Sequence, residues 1–198
     1  MSVVQIISVF SSQTVAEIDT PAAVTEIRTI LEDTPASYES VKKLTYLKAV
    51  FFETLRLYPS VPKNVRMAYA DDVLPGGIQV AKGDVILYAP YVMGRDEQIW
   101  EEPLEFKPER WIDDNGKWRE RSAFEFTAFN AGPRLCLGKT MAVTEALVLL
   151  ATVLPLYEMT PTSTDPPIQV GETLTLPMHS HTVHVAHRAD DRTHMYEE

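Results

Sequence analysis

The residues best equipped for chemistry stand together in one short stretch, Phe129-Asn-Ala-Gly132-Pro-Arg134-Leu-Cys136-Leu-Gly138. Cys136 is the only cysteine of the chain, so it can form neither an intramolecular disulfide nor a cysteine-rich zinc site. Its reactivity has to come from its surroundings. Gly132 and Gly138 on either side let the backbone turn tightly and come close to a large planar ligand. The apolar run that follows, Met141 to Leu154, reads as a helix whose N-terminus lies at the sulfur. Unpaired N–H groups and the helix dipole at such an end favour a thiolate. From the residues alone, that thiolate could serve as a ligand or as a redox-active group of low pKa.

The elements that must position this loop are read from periodicity. Thr20 and Pro21 form a helix start, with the helix running to about Glu32. From Tyr38 to Tyr58, Leu44, Leu47, Val50, Phe51, Leu55 and Tyr58 recur at spacings of three and four, which predicts one amphipathic helix ended by Pro59. Val65-Arg-Met67, Val73-Leu74, Ile78-Gln-Val80 and Val85-Ile-Leu-Tyr88 are short strand candidates separated by Pro75-Gly-Gly77 and Lys82-Gly-Asp84 turns. Residues 96–128 are charged, aromatic and proline-bearing without clean periodicity, which predicts an irregular, packed segment. A second strong helix is expected from Gly138 to about Leu154, then a loop at 160–167 and a final strand pair near 172–176 and 181–186. Residues 1–19 carry no clear pattern and are taken as a leader, 20–187 as the domain and 188–198 as a tail.

Composition narrows the function classes. Apolar residues make up 45% and charged residues 23%, ordinary for a globular protein, and 198 residues suffice for one core. A net charge of −10 argues against general nucleic-acid affinity. No stretch is long and apolar enough to predict a membrane span, and Met1 to Phe10 lacks the basic start of a signal peptide. All five histidines, His179, His181, His184, His187 and His194, lie in the tail region without a carboxylate at matching spacing, and are read as strand and tail residues. Gly76-Gly77 is a turn and not a phosphate loop, since no helix start follows.

Glu53 and Arg56 share one face of the amphipathic helix, three residues apart. Taken alone such a pair is usually solvated and worth a few tenths of a kcal/mol. It is followed, however, by Leu57-Tyr-Pro59 and later by Phe106-Lys-Pro108-Glu-Arg110-Trp111.

These three stretches, in this order, resemble the cytochrome P450 family. The cysteine loop fills every fixed position of the family pattern F-x-x-G-x-R-x-C-x-G, E-T-L-R-L-Y-P matches its E-x-x-R helix, and P-E-R-W resembles its P-E-R-F box. The resemblance implies an α+β fold, mainly α: the C-terminal part of the family fold, with two major helices, small antiparallel strands and an irregular meander before the cysteine loop. It implies haem b as cofactor, with Cys136 as axial thiolate ligand of the iron. Arg134 would pair with a haem propionate, as would Arg66, and Phe129 would pack beside the ring. Gly132 and Gly138 would frame the loop. Glu53, Arg56 and Arg110 would form a buried structural triad, since a carboxylate shared between guanidinium groups satisfies charges that are costly to bury.

The activity implied is hydroxylation of a C–H bond in a small apolar substrate, with O2 and two electrons from a reductase, NADPH-dependent in the family. Tyr91-Val-Met-Gly-Arg95-Asp, Ile99-Trp100 and the Phe106–Trp111 stretch most resemble the fatty-acid ω-hydroxylase group. Lys117, Arg119, Arg121, Arg134 and Lys139 stand out against the acidic whole and would form a docking face for an acidic electron donor. The resemblance runs from about Pro21 to Val185 and does not include the oxygen-activating helix, so no distal catalytic residue is identified. Glu17-Ile-Asp19-Thr20 is rejected as that acid–threonine pair, since it lacks the surrounding long helix. The alternative reading is a truncated, inactive fragment. Full-length relatives would sit at the endoplasmic reticulum membrane; the chain as given would be cytoplasmic.

Overall fold

A computed structural model describes residues 18–32, 34–162 and 183–188. The first helix, α1 (Pro21–Leu31), begins where Pro21 removes an N–H that would have no partner, and the Thr20 hydroxyl accepts from the Ala23 N–H at 3.2 Å. Its buried face is Ala23, Val24, Ile27 and Leu31.

The expected single helix from Tyr38 to Tyr58 is two helices, α2 (Tyr38–Val41) and α3 (Thr45–Leu57). The break has a polar cause. Ser37 and Ser40 start α2 with a reciprocal capping box, and beyond its end Glu26, reaching across from α1, accepts the Tyr46 and Leu47 N–H groups at 2.8 Å each and so starts a new helix. These are orphan donors of the α3 N-terminus, so a side chain of a neighbouring helix supplies the cap that Leu44 cannot. From Ala49 to Leu57 α3 is buried all round, which makes it the central post of the fold.

Four short strands follow. β1 (Asn64–Met67) pairs antiparallel with β4 (Val85–Tyr88), and β2 (Asp72–Leu74) pairs with β3 (Ile78–Val80). All four fall where the strand candidates were read. The short helix α4 (Pro90–Met93) then leads into the irregular segment, which is held by a 3-10 turn at Pro108–Trp111 and a single bridge between Ile112 and Trp118. Two further 3-10 turns, Thr127–Phe129 and Gly132–Arg134, carry the chain to Cys136. Helix α5 (Lys139–Val153) starts from Gly138.

The last described pair is β5 (Tyr157–Pro161) with β6 (Val183–His187), and it carries strand into residues 160–161, where a loop is expected. Among the described residues the C-terminal strand pairs with the segment just after α5; the candidate strand at 172–176 lies outside the described residues. The packing also reaches past the expected boundaries at 20 and 187. Ile18 is fully buried, and Asp19 pairs with Arg188 while accepting the Met159 N–H at 3.0 Å. Asp19 and Thr20 therefore serve the fold. His184 and His187 lie on β6, the other histidines lie outside the described residues, and no metal-ligating cluster occurs among the described residues.

The core is one apolar cluster in which α3 meets α1, α5 and the irregular segment. Phe52 is its aromatic hub, with ring centroids 5.4 Å from Trp111, 4.8 Å from Trp118, 5.4 Å from Phe126 and 6.0 Å from Phe129. Aromatic pairs at these separations add about 0.5–1.5 kcal/mol each beyond area burial. They tie the helix to the loop that ends in Cys136. No helix among the described residues is long and apolar enough to cross a membrane.

Candidate functional site: the Cys136 loop and its support

Cys136 stands on a loop braced from both ends. Its N–H donates to the Phe129 carbonyl at 2.8 Å, and its own carbonyl accepts from the Lys139 N–H at 3.2 Å, the first residue of α5. Gly132 adopts φ +58°, the left-handed region that a side chain would strain. A Cβ on Gly138 would stand 3.9 Å from the Cys136 sulfur, so the sulfur lies against the residue that caps α5. The expected placement of the sulfur at a helix start therefore holds, with the helix beginning three residues further on.

Around the half-buried Cys136 the surface is apolar and open. Leu137 is fully exposed, and Leu135 and Met141 are 47% and 63% exposed. Phe129, by contrast, is 3% exposed and locked among Phe52 and Phe126. Arg134 is exposed at the end of its 3-10 turn.

Arg66 is also exposed, on β1, and its guanidinium donates to the Val65 carbonyl at 2.8 Å and to the Tyr88 hydroxyl at 3.3 Å. Tyr88 in turn donates to the Asn130 side-chain carbonyl at 2.6 Å, so the β1–β4 strand pair is joined to the cysteine loop. Sequence reasoning named Arg66 but neither Tyr88 nor Asn130. Nothing in the periodicity marks a tyrosine 42 residues away as a partner of the loop.

Behind the loop sits the carboxylate of Glu53, fully buried. Arg56 meets it with two parallel bonds, Nε to Oε2 at 2.9 Å and Nη2 to Oε1 at 2.7 Å, a bidentate fork. Arg110 Nε reaches Oε1 at 3.2 Å. The expected triad is thus assembled, and it is larger than expected. The Trp111 indole N–H donates to Oε2 at 3.0 Å and the Lys107 N–H to Oε1 at 2.9 Å.

The outer edge of the Arg56 guanidinium is spent on three carbonyls of the irregular segment: Gly94, Pro103 at 2.7 Å and Glu105 at 2.9 Å. Arg110 adds the Glu102 carbonyl at 2.7 Å. A segment without regular structure has few internal partners for its carbonyls, and two arginines of this cluster supply them. Gly94 approaches so closely that a Cβ there would overlap the Arg56 carbonyl oxygen.

The basic residues near the sulfur divide. Lys117, Arg119 and Arg134 are exposed. Arg121 turns inward, its guanidinium 5.3 Å from the Trp100 ring and its Nε buried, so it is not part of an open basic face. Lys139 pairs with Glu120 at 3.5 Å and lies 5.8 Å from the Phe129 ring.

Two lysines that sequence reasoning missed, Lys42 and Lys48, join Lys139 around an open cavity of about 340 Å³ lined also by Phe52, Val143 and Leu147. Lys48 stands 3.7 Å over the Trp118 ring, and burial holds its pKa below the usual lysine value, with Lys139 adding repulsion and Glu120 opposing both. For Glu120 itself burial works upward, but the Trp118 indole N–H at 2.6 Å and the Lys139 ammonium hold the carboxyl below its ordinary range.

Comparison with known proteins agrees with this geometry. The family model described as Cytochrome P450 matches residues 21–185. Cytochrome P450 86B1 of Arabidopsis thaliana is 48% identical over 122 residues, covering 61% of this chain and 22% of that protein. Cytochrome P450 704B1 of the same plant is 46% identical over 123 residues, covering 62% and 23%. Noroxomaritidine synthase 1 of Narcissus pseudonarcissus is 45% identical over 115 residues, covering 58% and 22%. The chain thus spans less than a quarter of the length of these relatives. With a family model matched over most of its length and the buried Glu53–Arg56–Arg110 cluster set behind a glycine-framed cysteine loop, the chain belongs to the cytochrome P450 family.

Proposed function

We propose that this chain forms the cysteine side of a haem b site in a monooxygenase that hydroxylates a C–H bond of an apolar substrate, a fatty acid in the first instance. The observation that carries the reading is the braced Cys136 loop. Cys136 is half-buried between the exposed, apolar Leu135 and Leu137, while the cationic Arg134 and Arg66 stand open to solvent on elements joined to the loop. Such a donor set fits a flat apolar ring with acidic edges.

Cys136 would hold the haem iron as a thiolate, and Arg134 and Arg66 would pair with the propionates. The bound haem supplies O2 binding and activation, favoured by thiolate donation. The chain's own residues supply position and electrostatics. Phe129, buried against Phe52 and Phe126, keeps water from the inner side of the sulfur. The hydrogen bond from the Cys136 N–H to the Phe129 carbonyl fixes the loop that carries the sulfur, and the Glu53 cluster holds the irregular segment in place through Arg56 and Arg110.

The electron donor in this reading is an NADPH-dependent reductase. Its acidic face would dock where Lys42, Lys48 and Lys139 meet, extended by Lys117 and Arg119. The fatty-acid assignment rests on sequence likeness in scaffold segments. In this reading the whole protein works at the endoplasmic reticulum membrane.

The decisive experiment is the spectrum of the ferrous–CO complex of the haem-loaded protein. Thiolate ligation moves the main band far to the red, and Cys136→Ser should abolish that band. An unchanged band in the serine variant would refute the assignment of the ligand.

A further inference from the structure

Asn130 carries the least comfortable backbone of the loop. Its φ is +60° and its ψ −175°, a region populated almost only by glycine. A residue stays there only where its surroundings hold it. Its N–H donates to the Thr127 carbonyl at 2.9 Å, and its side-chain carbonyl accepts the Tyr88 hydroxyl at 2.6 Å.

The consequence falls on the sulfur. Asn130 shares a peptide plane with the Phe129 carbonyl, and that carbonyl accepts the Cys136 N–H at 2.8 Å. Fixing the orientation of Asn130 therefore fixes the oxygen that anchors Cys136. The same Tyr88 hydroxyl accepts from Arg66 at 3.3 Å. The register of the strand pair explains how both contacts are made: Asn64, Arg66, Ile86 and Tyr88 share one face, with Asn64 opposite Tyr88 and Arg66 opposite Ile86.

We propose that Tyr88 is a positioning residue that latches the Cys136 loop through Asn130 and, with the same hydroxyl, orients Arg66 toward the acidic edge of the cofactor. This inference rests on the haem reading above. One oxygen thus couples the Cys136 loop to the cation that would meet a propionate. Tyr88 acts through its two neighbours, Arg66 and Asn130.

The test is a double-mutant cycle on the full chain with Tyr88→Phe and Asn130→Gly, read in two ways. In the haem-free chain, the rate of Cys136 alkylation by iodoacetamide reports loop opening. Tyr88→Phe should raise it about fivefold, the factor for one net hydrogen bond. In the haem-loaded chain, the same variant should move part of the ferrous–CO absorbance from the thiolate band to the thiolate-lost band. Because glycine adopts the Asn130 conformation unaided, Tyr88→Phe made in the Asn130→Gly background should add little to either readout.

An alkylation rate unchanged by Tyr88→Phe, or an increment of equal size in both backgrounds, would overturn the latch. Absence of the thiolate band in the parent chain would instead refute the haem reading, while the alkylation cycle still judges the latch. If Tyr88→Phe folds poorly, adding Asn130→Gly to it should restore slow alkylation, since glycine holds that backbone without the latch; failure to do so also counts against the proposal.

Discussion

Trp111 donates its indole N–H to the Glu53 carboxylate at 3.0 Å while its ring lies 5.4 Å from Phe52 and stacks at 5.7 Å on Trp118. One side chain thus joins the buried charge cluster to the aromatic cluster behind the cysteine loop. The position resembles the last residue of the family's P-E-R-F box, where phenylalanine fills the same hydrophobic role without a donor. Trp111→Phe is expected to keep the packing and lose a hydrogen bond to a charged acceptor, a loss of about 1.5–3 kcal/mol. Urea unfolding should show a lower midpoint with an unchanged slope.

Glu53→Gln removes the charge that two guanidinium groups share. Arg56, 1% exposed, would be left without its counter-ion, and breaking a buried pair on one side costs about 3–5 kcal/mol. The expected outcome is a chain that unfolds at much lower urea concentration and loses the Cys136 loop with it. Cys136 alkylation would follow global unfolding in this variant.

Gly94→Ala places a methyl group on the Arg56 carbonyl oxygen. The obstacle is backbone, so no side chain can rotate away, and α4 must separate from α3. Overpacking of this kind costs about 1–3 kcal/mol. Thermal unfolding by circular dichroism checks it; a variant as stable as the parent would contradict the contact.

Glu26→Ala strips two N–H groups of α3 of their only cap. The loss is expected near 1–2 kcal/mol, the range for N-cap removal. Glu26→Gln should recover part of it, since the amide oxygen can still accept from one of Tyr46 and Leu47. Chemical denaturation of the pair of variants measures the difference.

Glu120 gives a pH dependence with a definite sign. Its carboxyl lies below the ordinary range when folded, so its contribution to stability is present above the unfolded carboxylate pKa. That contribution fades as pH falls through the depressed folded value. Glu120→Gln should therefore narrow the gap between neutral and acid stability, seen as a smaller change in urea midpoint across the acid range. Being largely exposed, the group contributes modestly.

Much of this architecture could be read from residue order. Thr20-Pro21 announced α1, the four strand candidates formed where they were read, and Gly138 to Leu154 became α5. These are local outcomes, set by side-chain periodicity, proline geometry and turn residues acting within a few positions. The cysteine loop and the Glu53–Arg56 helix were visible for the same reason: their spacing lies within one element.

Contacts between distant segments left no such mark. The helix expected from 38 to 58 broke because Glu26, on another helix, caps Tyr46 and Leu47. The C-terminal strand pairs with β5, and Asp19, far away in sequence, ties the end of that pair through Arg188 and Met159. Arg121 turned inward to Trp100, and Lys48 came to line one cavity with Lys42 and Lys139. Tyr88 and Asn130 met across 42 residues because the strand pair and the loop turn bring them together. Pattern within an element is written in the order of residues, whereas a hydrogen bond between elements exists only once the core has fixed their separation to a fraction of an ångström.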